Sequence, residues 1–531
     1  MSALWPRGWR TALPELCTRE WDLLIVGGGI TGAGILLEAS RRGLRALLVE
    51  QRDFAWGTSS RSSKLVHGGL RYLAQGHLKL TREAVHEREA LLRDAPGLVE
   101  AQGFAFADYG ASARKRRTML AGLALYDLFA GRREPHWLRA ADFALRAPGT
   151  VRDGLAGGIV YTDAKTDDAR LVLRTIAEAR RHGGQALNYV AARSLLEESS
   201  RVVGAVLRDE IEGKLHQVRA RLVIDACGAW AGKLGTSGPR LRPLRGSHLV
   251  LPAWRLPLAQ AISLMHPVDG RPVFAFPWEG ATLVGTTDVD HRDGLEREAA
   301  ITRAELDYLM AALNAQFPQL DLRETDILAT YAGVRPVLDT GAADAPSKAA
   351  REHAVFASPG LVSVAGGKLT TFRAIALDTL RLAQRQLPGW CDSLKPCRIF
   401  DPVPQLHTAQ RVPAALLRRL AGRYGAQAQA LLDAAREGEL ETIPGTETLW
   451  AELRWAARGE AVQQLDDLLL RRTRIGLLLR GGGLEHAERI RAICQPELGW
   501  LDARWEEALA AYRAIWQAHY SLPHHAKGVR A

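Results

Sequence analysis

A glycine-rich turn near the N-terminus constrains the fold of this chain most strongly. It joins an apolar run, WDLLIV, to a segment with helical spacing, ITGAGILLEASRRG, and its glycines are Gly27, Gly29 and Gly32, with Gly34 as an extension. The next apolar run, LRALLVE, ends in Glu50. Glycines without a Cβ let the backbone reach a pyrophosphate at the helix N-terminus, and the distal acid accepts hydrogen bonds from ribose hydroxyls. The pattern therefore predicts a βαβ unit that binds a dinucleotide, either FAD or NAD.

Later segments predict a discontinuous nucleotide domain with an insertion. Apolar strands with glycine turns or helices recur up to GLVSVAGGKLTTFR, but between roughly residues 240 and 355 alternating strands such as PVFAFPW replace them. Amphipathic helices follow from about residue 405. We predict an α/β fold made of an N-terminal extension (1–20), a doubly wound domain (21–235 and 356–400), an antiparallel β-sheet substrate domain (236–355) and a helical C-terminal domain (401–531).

The composition is that of a globular protein, and 531 residues suffice for two or three domains. No stretch approaches the roughly 18 apolar residues that span a bilayer, and the N-terminus lacks a secretory signal, so we expect a cytoplasmic protein. The five cysteines are expected to be reduced, and no Cys/His spacing indicates a metal site. The net charge of +11 is compatible with nucleic acid, anionic lipid or an anionic substrate.

The sixteen residues TSSRSSKLVHGGLRYL, from Thr58 to Leu73, decide between the two dinucleotides. They crowd hydroxyls, glycines and cationic groups behind the predicted ribose acid, and they resemble the flavin-embracing signature of the FAD-dependent glycerol-3-phosphate dehydrogenases. The resemblance continues, in order, through YTDAKTDDARLVL, GSHLVLP, VGTTDV, TYAGVRPVL, VAGGKLTTFR and EAVQQLDDLLLRRTRIG. It implies noncovalent FAD in a glutathione-reductase-like domain and oxidation of sn-glycerol 3-phosphate to dihydroxyacetone phosphate. It also implies a membrane quinone as acceptor, peripheral attachment to the cytoplasmic face of the inner membrane and commonly a homodimer.

The resemblance also implies which residues bind the cofactor. They are Gly27, Gly29, Gly32, Gly34, Glu50, Gln51, Thr58, Ser59, Ser60, Ser63, Lys64, His67, Gly228, Gly366, Gly367, Lys368, Leu369 and Thr370. Two departures from the family pattern stand out. The turn DACGAW around Cys227 replaces a sequence like NATGPW, which puts a backbone contact there in doubt, and Arg61 stands where a small residue is usual. We expect Arg61 only to add surface charge.

Gripping a phosphorylated substrate requires a cationic clamp. An arginine fork matches a phosphate dianion with paired hydrogen bonds, and the resemblance places Arg335, in GVRP, and Arg71, in GGLRY, on the substrate side of the flavin. We expect Tyr72 and Thr287 to add hydroxyl contacts. Lys368 is expected either to bind substrate or to stabilise the reduced flavin, and the sequence does not separate these roles.

Oxidising the alcohol also requires a base. His248, in GSHLVLP, is preferred because a neutral imidazole accepts a proton near neutral pH, whereas a guanidinium does not release one. Arg335 then polarises the oxygen or clamps the phosphate. Which of the two residues acts on the substrate proton stays open.

A basic and apolar segment is a candidate for membrane docking. Arg114–Arg117 precede TMLAGLALYDLF, and Arg132 and Arg133 follow it. An ordinary buried helix with solvated ends explains the same residues equally well. Two other functions compete with the dehydrogenase: a glycerol-3-phosphate oxidase that uses O2 and forms H2O2, and an FAD-containing nucleic-acid-binding protein. We expect no nucleic-acid partner, because no RNA-recognition motif is present.

Overall fold

The computed structural model describes residues 3–70, 73, 76–110, 113–131, 136–234, 240–339 and 353–523. The α-helices in these ranges are α1 (Leu13–Thr18), α2 (Ile30–Ser40), α3 (Leu78–Asp94), α4 (Ala113–Ala130), α5 (Ala140–Arg146), α6 (Asp168–Arg181), α7 (Arg303–Gln316), α8 (Phe372–Gln384), α9 (Ala414–Tyr424), α10 (Ala428–Ala434), α11 (Trp450–Gly459), α12 (Ile475–Leu478), α13 (Ala487–Leu498) and α14 (Asp502–His519). None of the described helices is long and apolar enough to cross a membrane.

The strands in the same ranges form two sheets. They are β1 (Trp21–Val26), β2 (Ala46–Glu50), β3 (Leu65–Val66), β4 (Val99–Asp108), β5 (His136–Arg139), β6 (Gly157–Thr166), β7 (Gln185–Asn188), β8 (Val190–Glu198), β9 (Arg201–Asp209), β10 (Leu215–Asp225), β11 (Leu241–Pro252), β12 (Ala261–Met265), β13 (Pro272–Trp278), β14 (Ala281–Gly285), β15 (Val289–Asp290), β16 (Ala329–Leu338), β17 (His353–Ser358) and β18 (Leu361–Gly366).

The first sheet is doubly wound, as the sequence predicts. Its strand order is β17-β18-β10-β1-β2-β7, and β18, β10, β1, β2 and β7 are parallel. All six residues of β1 are buried, the pattern of a strand covered on both faces. Helices α2, α6 and α8 contribute to the core on this sheet. The ends of β1, β2 and β10 therefore meet at one edge, where α/β proteins bind nucleotides.

The second sheet is larger than the predicted insertion. Its order is β15-β11-β14-β13-β12-β4-β6-β3, with β16 paired to β11 and β5 to β6. Strands β3 to β6, residues 65–166, thus lie in this sheet, although the sequence assigned residues 21–235 to the nucleotide domain. That assignment was wrong for these strands because a strand's partner is fixed by long-range pairing: β4 pairs with β12, whose residues Ala261 and Ile262 face Phe104 and Ala105. The pairing of β4 with β12 is parallel, so the sheet is mixed rather than antiparallel.

The C-terminal helices pack on the second sheet, and the predicted helical domain is confirmed. Trp278 and Tyr331 of the sheet share one buried cluster with Trp450 of α11 and Trp505 of α14. Since these helices cover one face of the sheet, they leave its opposite face to other elements.

Buried ion pairs join the helical domain to the nucleotide domain. Arg472, in a π-helical turn, donates to Asp53 with an N–O distance of 2.7 Å, and Arg474 donates to Asp167 at 2.9 Å. Burial by itself raises the pKa of Asp53, but the charges of Arg472 and Arg471 outweigh that effect and lower the pKa to about 2. Removing one partner would leave a buried charge unpaired, so these contacts fix the two domains relative to each other.

The described part of the N-terminal extension also packs into the molecule. The Trp5 indole donates to the Ala186 carbonyl at 3.1 Å, and the Trp5 backbone N–H donates to the Gly459 carbonyl at 3.3 Å. The extension therefore contacts both the first sheet and helix α11.

Candidate functional site

A cleft of about 1250 Å3, including the part open to solvent, lies at the ends of β1, β2 and β10. The sequence-predicted cofactor residues that line it are Gly27, Gly29, Glu50, Gln51, Thr58, Ser59, Gly228, Gly366, Gly367, Lys368 and Leu369. The remaining predicted cofactor residues lie outside the lining of this cleft. These residues are Gly32, Gly34, Ser60, Ser63, Lys64, His67 and Thr370.

The glycine turn has the close approaches that the sequence predicts. Gly27 has φ 115°, and a Cβ there would lie 2.5 Å from the Ala226 carbonyl oxygen. A Cβ on Gly32 would lie 1.9 Å from the Gly27 carbonyl oxygen, and one on Gly34 would lie 2.7 Å from the Phe372 ring. Gly32 and Gly34 therefore shape the turn and pack α2 instead of lining the cleft.

The ribose acid sits where a dinucleotide requires it. Glu50 accepts hydrogen bonds from the backbone N–H of Gly28 at 2.7 Å and of Arg52 at 2.9 Å. A carboxylate offers about four acceptor sites, so these two bonds leave room for ribose hydroxyls. Burial raises the pKa of Glu50, whereas the two N–H groups oppose that rise.

The turn and the acid together fit the ADP half of FAD. At the N-terminus of α2, the backbone N–H of Ile30 donates to the Ser59 hydroxyl at 3.0 Å. Such an N-terminus attracts an anion through its unpaired N–H groups and helix dipole. Ser59 itself lines the cleft, so its hydroxyl stands where a pyrophosphate would be bound.

Aromatic side chains that the sequence analysis missed form another wall of the cleft. Trp56 and Trp230 have ring centroids 5.9 Å apart, and both line the cleft. A Cβ on Gly57 would lie 2.9 Å from the Trp230 ring. No spacing in the sequence predicts this wall, because the two tryptophans come from segments that meet only in the fold.

The serine-rich loop is fixed from within by charged groups. The Lys64 ammonium is fully buried, donates to Asp168 at 2.9 Å and to the Ser60 carbonyl at 3.0 Å. Burial is the main reason why the pKa of Lys64 falls to about 8. Lys64 and Ser60 thus hold the loop in place, and their polar contacts are to protein groups and not to the cleft.

Arg61 does not add surface charge, so that expectation was wrong. It is buried, pairs with Glu298 at 2.8 Å, and its guanidinium lies 4.9 Å from the centroid of the Trp56 ring. The Trp56 carbonyl accepts a further hydrogen bond from it. The sequence showed the cation but not Glu298, which comes from a distant loop and neutralises it.

The second sheet presents His248, Tyr331 and Arg335 on one face. In the antiparallel pair β11 and β16, His248 lies opposite Tyr331 and Leu244 opposite Arg335. Residues two apart along a strand share a face, so these side chains point the same way. The loop closes over this face, because the Tyr331 hydroxyl donates to the Ser62 carbonyl at 2.9 Å.

Three glycines make room on this face. A Cβ on Gly246 would lie 2.3 Å from Arg335 Nη2, and one on Gly285 would lie 2.1 Å from the His248 ring. A Cβ on Gly333 would lie 2.3 Å from the Arg61 carbonyl oxygen. The glycines therefore let the two candidate catalytic side chains and the loop lie against the sheet.

His248 is a neutral imidazole in this setting. It is buried, stacks on Tyr331, and its Nε2 lies 2.9 Å from the Ser63 hydroxyl oxygen. Burial, followed by the charges of Arg335 and Lys64, holds the pKa of His248 well below its usual value. Among the described residues, its Nδ1 has no hydrogen-bond partner.

Arg335 is held by two side chains that the sequence analysis missed. Its guanidinium donates to the Thr286 hydroxyl at 3.0 Å and to Asp288 at 3.2 Å. Arg271 lies 3.5 Å from the same carboxylate, so two arginines gather around Asp288. The adjacent Pro336 lines the cleft, which brings the predicted phosphate clamp to the edge of the cofactor site.

Other predicted substrate residues differ in their placement. Lys368 lines the cleft. The Thr287 hydroxyl accepts from the Ser247 N–H at 2.9 Å and donates to Glu305 at 2.7 Å, so it is hydrogen-bonded within the protein, and its contact with a substrate stays a prediction. Arg71 and Tyr72 lie outside the described residues.

Two family models match the chain. Residues 22–376 match the FAD dependent oxidoreductase family, and residues 394–505 match the C-terminal domain of alpha-glycerophosphate oxidase. Glycerol-3-phosphate dehydrogenase 2 of Mycobacterium tuberculosis is 34% identical, over 97% of this chain and 91% of the relative. Aerobic glycerol-3-phosphate dehydrogenase of Bacillus subtilis is 37% identical, over 71% of this chain and 69% of the relative.

Solved structures agree with these matches. The glycerol-3-phosphate dehydrogenase from Bacillus halodurans complexed with FAD has a TM-score of 0.74 and 27% identity, and the match covers 97% of this chain and 98% of that one. The L-alpha-glycerophosphate oxidase from Mycoplasma pneumoniae, with a TM-score of 0.57 and 18% identity, shares the fold over 73% of this chain and all of that one. The cleft, the glycine turn and these matches together show that the chain belongs to the family of FAD-dependent glycerol-3-phosphate dehydrogenases.

Proposed function

We propose that this protein oxidises sn-glycerol 3-phosphate to dihydroxyacetone phosphate and passes the electrons from FAD to a membrane quinone. The observation that supports this most is the shared face of β11 and β16, which presents a buried histidine of lowered pKa and an arginine. Neither side chain lines the cleft itself, but Arg335 precedes Pro336, which does, and His248 contacts Ser63, which follows the lining residue Ser62. A base and a phosphate clamp at one edge of a flavin site are the groups that this oxidation requires. The names of the relatives point to the same substrate.

In this mechanism Arg335 binds the phosphate. Its planar fork is held in one orientation by Thr286 and Asp288, so little entropy is lost when it grips the dianion. The dianion in turn acts on His248, because a nearby negative charge raises the pKa of an imidazole. Substrate binding therefore strengthens the base that removes the hydroxyl proton.

His248 takes that proton in its neutral form. Stacking on Tyr331 fixes the ring plane, and Ser63 fixes its Nε2 edge. Bound FAD supplies the acceptor for the hydride that leaves the carbinol carbon. Lys368, at the edge of the cleft, adds a positive charge to the substrate and flavin side of the site.

We further propose that the protein acts in the cytoplasm at the inner membrane, with α4 as the docking helix. Arg114 and Arg117 are exposed on α4, and Leu128 at its other end is 69% exposed. Arg116 is instead paired with Asp108 and lies over the Trp137 ring, so it contributes less to a lipid surface. Arg132 and Arg133 lie outside the described residues, and a homodimer stays a prediction.

One anaerobic titration tests the reaction. The FAD-loaded protein is mixed with glycerol 3-phosphate and the flavin absorbance is followed, with glycerol as the control that lacks the phosphate. Bleaching by glycerol 3-phosphate alone supports the proposal, and a flavin that stays oxidised at saturating substrate refutes it. His248→Gln is expected to slow bleaching by about 10²- to 10⁴-fold while substrate binding is largely retained.

An oxidase is the second candidate, favoured by the match of residues 394–505 to the C-terminal domain of alpha-glycerophosphate oxidase. Reoxidation separates the two. Slow reaction of the reduced enzyme with air and fast reaction with a soluble quinone support the dehydrogenase. Fast reaction with air, with one peroxide formed per turnover, supports the oxidase.

A further inference from the structure

The end of the last described helix reaches the wall of the flavin cleft. Tyr520, directly after α14, is buried, and its hydroxyl oxygen accepts hydrogen bonds from Arg61 Nη2 at 3.2 Å and Nε at 3.3 Å. The two residues are 459 positions apart in the chain. A contact over that separation is a product of tertiary folding alone.

Arg61 connects this phenol to the cleft. Its guanidinium covers the Trp56 ring, donates to the Trp56 carbonyl and pairs with Glu298. Burial by itself raises the pKa of Glu298, but the charge of Arg61 and a hydrogen bond from Tyr520 hold that pKa below its usual value. Because Glu298 already neutralises Arg61, the phenol is not needed for charge balance. Its two bonds instead fix the plane of the guanidinium, and through it the position of Trp56.

The backbone of the same segment supports the catalytic face. The Thr330 N–H donates to the Tyr520 carbonyl at 2.8 Å, and the Thr330 hydroxyl donates to the Ser521 carbonyl at 3.0 Å. Thr330 immediately precedes Tyr331, on which His248 stacks. The C-terminal segment thus contacts both the loop that walls the cleft and β16, the strand whose Tyr331 stacks on the predicted base.

We propose that Tyr520 is a positioning residue for the flavin site: its hydroxyl orients Arg61, which holds Trp56 and the serine-rich loop against bound FAD. The proposal deepens the proposed function, and the effect of Tyr520 on turnover rests on that function. Its effect on FAD affinity does not, because FAD binding can be measured without substrate.

The test compares two buried tyrosines near the same helix. Tyr520→Phe removes the hydroxyl that meets Arg61. Tyr512→Phe, in α14, removes a buried hydroxyl that donates to the Gly482 carbonyl at 2.7 Å, within the helical domain. Apoprotein of each variant is titrated with FAD while the quenching of tryptophan fluorescence is followed, and thermal unfolding is recorded in parallel.

We expect Tyr520→Phe to raise the dissociation constant for FAD by about fivefold to tenfold, less than the loss of a direct hydrogen bond to a charged group, because the phenol acts on FAD only through Arg61 and Trp56. Tyr512→Phe should change that constant by less than about twofold, whatever it does to the melting temperature. Equal effects of the two variants on FAD affinity, or an unchanged constant for Tyr520→Phe, would overturn the proposal.

A second variant tests the route through Arg61. Arg61→Met should also weaken FAD binding, and the double variant Arg61→Met/Tyr520→Phe should be little weaker than Arg61→Met alone, because the phenol acts through the guanidinium. Effects that multiply in the double variant would contradict that route. If the wild-type flavin is not bleached by glycerol 3-phosphate, the proposed function fails while this comparison of FAD affinities still decides the role of Tyr520.

Discussion

His248 stacks on Tyr331 with ring centroids 4.6 Å apart and an interplanar angle of 8°. The two residues lie opposite each other on β11 and β16, so the register of one strand pair sets the position of the predicted base. Burial, with the nearby charges of Arg335 and Lys64, lowers the pKa of this imidazole, and this has consequences for activity and for stability.

The first prediction concerns pH. The pKa of His248 lies well below its usual value in the folded protein, whereas the unfolded chain keeps a histidine pKa of about 6.5. Below that pH the unfolded state takes up a proton that the folded state does not. The contribution of His248 to the free energy of unfolding therefore falls as the pH falls below about 6.5, by about 1.4 kcal/mol per pH unit.

Urea unfolding of the wild type and of His248→Gln, at about pH 7.5 and about pH 5.5, measures this loss. The wild type should lose more stability than the variant on acidification, by about 1.4 kcal/mol. Equal losses in the two proteins would show that His248 titrates normally.

The second prediction concerns the phosphate clamp. Arg335→Ala should weaken substrate binding by about 2 kcal/mol, or roughly 30-fold, because hydrogen bonds to a charged group are lost. The rate of flavin reduction at saturating substrate should change less. Stopped-flow reduction over a range of glycerol 3-phosphate concentrations separates the two constants, and a large fall in the limiting rate with unchanged binding would assign Arg335 to the chemical step instead.

The third prediction uses the space over Gly246. In Gly246→Ala the new methyl group would lie 2.3 Å from Arg335 Nη2 and 2.5 Å from the Thr286 hydroxyl, so Arg335 must move. We expect the KM for glycerol 3-phosphate to rise by about tenfold or more, while FAD still binds. Gly122→Ala in α4 is the matched control, because the one described residue that its methyl group meets within 4 Å is Leu73, at 3.8 Å. A normal KM in Gly246→Ala would remove Arg335 from the substrate site.

The fourth prediction concerns Glu50. Glu50→Gln replaces a carboxylate that accepts two backbone hydrogen bonds with an amide whose NH2 group cannot accept. FAD affinity should fall by about tenfold. Quenching of tryptophan fluorescence during FAD titration measures it, since Trp56 and Trp230 line the cleft. Glu89→Gln on α3 serves as a control away from this cleft, and equal affinities for the two variants would exclude Glu50 as a ribose ligand.

The sequence by itself determined the βαβ unit, the nucleotide turn and the family. The spacing of Gly27, Gly29 and Glu50 follows from local geometry. A strand and a helix each have a fixed side-chain period, so the strand–turn–helix–strand order can be read from adjacent residues. The confirmed prediction of FAD rests on such contiguous motifs. The catalytic roles of His248 and Arg335 stay predictions, although each residue adjoins or contacts a neighbour of the residues that line the cleft.

Only the tertiary structure decided which strands form the second sheet and which charges are buried. Strands β3 to β6 join that sheet through pairing over long separations, and Arg61 is neutralised by Glu298 and oriented by Tyr520 from distant parts of the chain. The burial of a charge depends on the partner that packing brings to it, and no local period in the sequence encodes that partner. For the same reason, the role of Tyr331 beneath His248 became visible only when β11 and β16 were paired.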